Sequence, residues 1–123
     1  MATSTIPVNH EGIVNIKSQI TLTKSTNCGS VTLSEAYRTG NIVFLKFSVT
    51  PSASISSGGN LDVTLSGITP VCTTDNRIGY GVMGVGWFGC WLTSATNIRC
   101  RRMASDAWTT SMSPIITGWL LVK

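Results

Sequence analysis

The side chains in this chain best suited to chemistry are aromatic rings and hydroxyls rather than acids and bases. Tyr80, Trp87, Trp91 and Trp108 fall in or beside the segments with the longest loops, where Asp75, Arg77, Asp106 and Thr109 supply hydrogen-bonding groups. An aromatic ring offers a plate for the apolar face of a pyranose, and a few polar neighbours fix its orientation. That combination binds carbohydrate without cleaving it. The competing use of each ring is burial in the core, because a tryptophan removes so much area from water.

Acid–base chemistry has thin support. Glycoside hydrolysis needs two carboxyl groups held across the scissile bond, and the acids here are Glu11, Glu35, Asp62, Asp75 and Asp106. Glu11 falls in the N-terminal segment, and Asp62 alternates onto an exposed strand face. Asp75 and Asp106, both in loops, are the pair left for a tailspike-like hydrolase. The single histidine, His10, is also N-terminal, and no Gly-x-Ser-x-Gly elbow occurs. No catalytic residue is assigned, and the chain is read as a non-enzyme.

Cys28, Cys72, Cys90 and Cys100 contain no C-x-x-C pair and have one histidine to share, so neither a metal site nor a cofactor is expected. No basic segment followed by an apolar one marks a secretory signal, and the thiols are read as reduced and buried. Whether Cys90 and Cys100 are bridged stays open. The formal charge is +4, from 9 cations and 5 acids spread along the chain. Its one cluster, Arg99, Arg101 and Arg102, reads as a solvated strand face that also blunts a sheet edge. No nucleic-acid partner follows from charge so dispersed. No apolar run is long enough to span a bilayer, so membrane insertion is not expected.

The elements that must position these residues are strands. Charged residues make up only 11% of the chain, so Ser and Thr take the polar half of a period-two pattern. Residues 1–12 read as an arm or linker, and 13–123 as a single domain. In 13–23, Val14, Ile16, Ile20 and Leu22 alternate with polar residues as one half-buried strand. Gly40-Asn41 reads as a tight hairpin turn returning into 42–50, with Val43, Leu45, Phe47 and Val49 inward. Leu61, Val63 and Leu65 form another strand. In 77–89 the glycines change parity at Val82-Met83, which reads as a bulge within one strand, with the glycines admitting a close neighbour. The Gly79-Gly81-Gly84 spacing imitates a phosphate loop, but no helix follows for a phosphate to cap. Ile98 and Cys100 point inward, as do Ile116, Leu120 and Val122. No 3.6-residue period is sustained anywhere. The fold class is all-β: an antiparallel β-sandwich, jelly-roll-like, of about eight strands.

Ala36-Tyr37-Arg38-Thr39-Gly40-Asn41-Ile42-Val43, a loop ending in a Gly-rich turn, Ile68-Thr69-Pro70 and a closing Ile-Thr-Gly-Trp-Leu strand at 116–120 occur in this order. Together they resemble the C-terminal head or tip domains of bacteriophage tail-fibre and minor structural proteins, over about residues 12–123. The resemblance implies a trimeric, receptor-binding domain of the virion tail, made in the host cytoplasm, that recognises a bacterial surface saccharide. A purely structural trimerisation or capsid-decoration domain is the alternative. The residues themselves point to self-association. Ile42 and Phe44 on one strand, and Trp119 and Leu121 on the last, lie opposite the inward rows and have no second sheet left to cover them. The expected ligand-binding set is Asp75, Arg77, Tyr80, Trp87, Trp91, Asp106 and Trp108.

Overall fold

The computed structural model describes residues 12–71, 76–83 and 86–123, so all of the arm but Gly12 lies outside the described residues. Nine strands follow in chain order: β1 (Val14–Asn15), β2 (Thr21–Lys24), β3 (Cys28–Thr39), β4 (Ile42–Pro51), β5 (Asn60–Ser66), β6 (Asn76–Met83), β7 (Gly86–Ser94), β8 (Asn97–Arg102) and β9 (Ile115–Leu121). They form one hydrogen-bonded sheet in the order β1-β3-β4-β9-β6-β7-β8-β5-β2, with every pairing antiparallel. The all-β antiparallel expectation is met, and both walls of the core belong to a single curled sheet.

The connectivity requires the curl. β1 and β2 lie at opposite ends of the strand order, yet only Ile16–Ile20 separate them. Laid flat, nine strands at about 4.8 Å spacing would put the edges roughly 38 Å apart. The short link reaches at most about 22 Å even when fully extended. The sheet therefore rolls into a half-barrel whose two edges face each other. Both edge strands are short, 2 and 4 residues, and β1 pairs with only Tyr37 and Arg38 of the 12-residue β3.

Alternation fills the interior. Val43, Leu45, Phe47 and Val49 of β4, Leu61, Val63 and Leu65 of β5, and Phe88, Cys90 and Leu92 of β7 are all buried. Ile98 and Cys100 of β8 and Ile116 and Leu120 of β9 join them. The Gly40-Asn41 hairpin forms as read, with Gly40 at φ 57°. The Ser/Gly segment after β4 is pinned: Ile55 is buried, and its backbone exchanges two hydrogen bonds with Trp108.

Four local readings are corrected. Residues 13–23 are not one strand: a 3-10 turn at Lys17–Gln19 separates β1 from β2, and Val14 is exposed while Ile16 and Ile20 are buried. Ile16 and Ile20 stand four apart, a spacing that one turn satisfies as well as alternation does. Residues 77–89 are two strands, not one. Met83 pairs with Gly86, so the chain reverses there, and the irregularity in register falls between Arg77 and Gly79 instead. Asp62 is buried on its strand, not exposed, because Arg99 covers it. Finally, β8 lies between β7 and β5, so its arginines blunt no edge.

Candidate functional site

The outer face of the sheet holds the polar and aromatic side chains left over from the inward rows. Cross-strand register arranges them. Arg77 of β6, Trp91 of β7, Arg99 of β8 and Asp62 of β5 are successive partners in one row. Thr117 of β9, Tyr80 of β6, Gly89 of β7 and Arg101 of β8 make the next. On the far side, Tyr37, Phe44 and Trp119 are successive partners across β3, β4 and β9, and Ile42 faces Leu121.

Where β6 meets β9 the surface dips into a hollow of about 180 Å³, walled by Arg77, Tyr80, Thr117 and Trp119 and lined below by Ile78, Gly79 and Gly118. The glycines make this approach possible. A Cβ on Gly118 would strike the Ile78 carbonyl oxygen, and one on Gly79 would lie 2.6 Å from the Gly118 Cα. The volume is below the roughly 300–1,000 Å³ of a drug-sized pocket. It suits one ring of a larger ligand resting on the surface.

Arg77 is held in place by aromatic groups. Its guanidinium carbon lies 5.4 Å from the Tyr80 ring centroid and 5.7 Å from that of Trp91, within cation–π range. Its Nη1 donates to Tyr80 Oη at 2.9 Å. Arg99, on the other side of Trp91, is committed differently: Nε and Nη2 donate to the two Asp62 carboxylate oxygens at 2.9 and 3.2 Å. Those bonds hold the Arg99 guanidinium still more firmly protonated than usual. Glu35 pairs with Lys46 at 3.4 Å.

The structure brings together only part of the expected ligand-binding set. Arg77 and Tyr80 wall the hollow, with Trp91 packed against Arg77. Trp87 is exposed on the same face of β7 but outside the hollow, and Asp106 is exposed away from it. Asp75 and Cys72 lie outside the described residues. Trp108 is a correction. It is fully buried, its ring packing edge-on against Phe88 with centroids 5.0 Å apart, so it cannot serve as a binding plate. Trp119, expected at the interface, is 54% exposed and forms a wall of the hollow. Ile42 is half-buried, and Phe44 and Leu121 are exposed. The expected interface and the expected ligand site are thus continuous across one face.

Thr117 and Gly118 were not foreseen. The available signal was a glycine at an inward position of an otherwise alternating apolar strand, which marks close approach of another backbone. Beneath the face, Cys90 and Cys100 are register partners on β7 and β8, both buried as free thiols. The Cys90 hydrogen bond and burial push the Cys100 thiol well up, and burial raises that of Cys28. Among the described residues no group of acids, histidines or cysteines is placed to hold a metal ion, and no helix is long and apolar enough to cross a membrane. No protein-family model, curated protein or solved structure matches the chain.

Proposed function

We propose that the chain is a receptor-binding tip domain of a phage tail fibre, part of the virion tail, which holds a bacterial surface saccharide without cleaving it. The observation that carries this reading is the hollow between β6 and β9, where Tyr80 and Trp119 stand beside a positioned arginine. Aromatic walls suit the apolar face of a sugar ring, while Arg77 and Thr117 offer polar contacts. Among the described residues no carboxylate lines the hollow, and Asp62 and Glu35 are engaged in ion pairs. That favours holding a glycosidic bond over hydrolysing it.

The domain works as a homotrimer in this reading, with the threefold order taken from the tail-fibre resemblance. The contact uses the side of the face away from β6, through Ile42, Phe44 and Leu121, with Trp119 at the border between contact and hollow. Phe44, Trp119 and Leu121 are about half exposed. Covering each one contributes about half of the ~1.5–3 kcal/mol of full burial.

A glycan array of diverse bacterial polysaccharides tests the reading. Specific binding is expected, weakened at least tenfold by Tyr80→Ala. A clean negative over the panel, with the trimer intact, favours a structural trimerisation or capsid-decoration domain, for which the apolar row Tyr37–Phe44–Trp119 is the supporting observation.

A further inference from the structure

We infer that the hollow selects an acidic saccharide, with Arg77 as the contact for its anionic group. The inference rests on the saccharide-binding reading above and narrows it to a chemical class.

Arg77 is ordered before any ligand arrives. Two rings flank its guanidinium and Tyr80 Oη accepts one of its protons, so little side-chain freedom remains to be lost on binding. An arginine carries five N–H donors in a planar fork that matches a carboxylate or phosphate. Among the described residues, the ion pairs are Glu35 with Lys46 and Asp62 with Arg99, so neither acid neutralises Arg77. Arg99 shows the alternative within the same row: its partner acid is built in, and its fork is filled from within the protein. Arg77 instead lines a hollow, with Nη1 on Tyr80 Oη and neither of these acids paired with it.

The surrounding charge acts in the same direction. Arg101 occupies the same face of β8, in register through Gly89 with Tyr80, and the whole chain carries +4. A positive face draws an anionic polymer toward the surface before any specific contact forms. Trp119 and Tyr80 then supply plates for the ring that bears the charge. The size of the hollow fits one such residue of a chain whose neighbours remain on the open surface.

The experiment measures binding to immobilised polygalacturonate and alginate, to their carboxyl-reduced neutral forms, and to a phosphodiester-linked teichoic acid. The expected result is at least tenfold weaker binding on carboxyl reduction. Arg77→Gln should cause a similar loss on the acidic polymer and no loss on a neutral one. Arg101→Gln removes the same charge outside the hollow and is expected to change affinity about twofold or less. Arg77-dependent binding to teichoic acid alone would also support the inference and identify the anion as phosphate. Equal affinity for the acidic and reduced polymers would overturn the inference and leave saccharide binding standing. An Arg101→Gln loss as large as that of Arg77→Gln would overturn it too, since net charge alone would then explain binding. Binding to none of these polymers overturns the inference. The glycan array decides separately whether the broader reading falls with it.

Discussion

Trp108 and Trp119 carry the same side chain on opposite sides of one sheet, and their surroundings differ completely. Trp108 is sealed in the interior against Phe88, whereas Trp119 stands half exposed between an apolar row and a hollow. The inner face is filled within one chain by apolar residues that pack together from β4 to β9, and among the described residues the buried Trp108 Nε1 is an indole donor left without a partner. The outer face is unfinished, with apolar rings left partly in water and Arg77 at the wall of a hollow. The inner face accounts for stability, and the outer face is the surface that the proposed binding and assembly would use.

Substitutions should separate the two faces. The largest effect is expected from Trp108→Ala, which removes about 3–5 kcal/mol of stability; Trp108→Phe should recover much of it by refilling the space. Measured on the dissociated chain, Trp119→Ala should cost only about 0.8–1.5 kcal/mol by the same denaturant titration, because half of that ring is already in water there. Comparable losses at the two sites would dissolve the distinction.

Next in size is the junction between the faces. Gly118→Ala places a Cβ against the Ile78 carbonyl and should cost about 1–3 kcal/mol, since the strands must part to admit it. The hollow should deform with them, so saccharide affinity should fall together with the melting temperature. Unchanged stability would mean that β6 and β9 do not meet as closely as described.

The engaged arginine gives a sharper contrast. Asp62→Asn leaves Arg99 half-buried without its carboxylate and should cost roughly 1–3 kcal/mol, while Arg77→Gln should leave the melting temperature almost unmoved. The thiols add a pH effect on the inner face alone. Cys28 and Cys100 titrate above the ordinary value of 9.0 when folded. The folded chain therefore keeps protons that the unfolded chain releases. Stability should be flat at neutral pH and decline as pH rises past about 9, by up to ~1.4 kcal/mol per unit for each thiol. Cys100→Ala should reduce that decline, leaving the part due to Cys28; an unchanged slope would show that Cys100 does not contribute to it.

The inner face was largely legible in the sequence, because alternation reports burial wherever a strand has one wet side. Val43 to Val49, Leu61 to Leu65 and Ile116 to Leu120 all point as their spacing indicates. Local pattern failed where two geometries share one spacing, as with Ile16 and Ile20 about a 3-10 turn. It failed again at Met83 and Gly86, where a change of glycine parity marked a chain reversal and not a bulge. The hollow was illegible for a different reason. Arg77 and Tyr80 meet Trp119 only because β6 pairs with β9, a long-range choice that no local window records. The burial of Asp62 likewise depends on which strand lies beside β5.

Light scattering of the unmodified chain at micromolar concentration tests the claim that the outer face is an interaction surface. The expected mass is about three times 13.1 kDa, shifting toward monomer or aggregate in Trp119→Ala. A monodisperse monomer for the unmodified chain would mean that Ile42, Phe44, Trp119 and Leu121 rest in water without a partner, and would contradict both the assembly and most of the fibre-tip reading built on it.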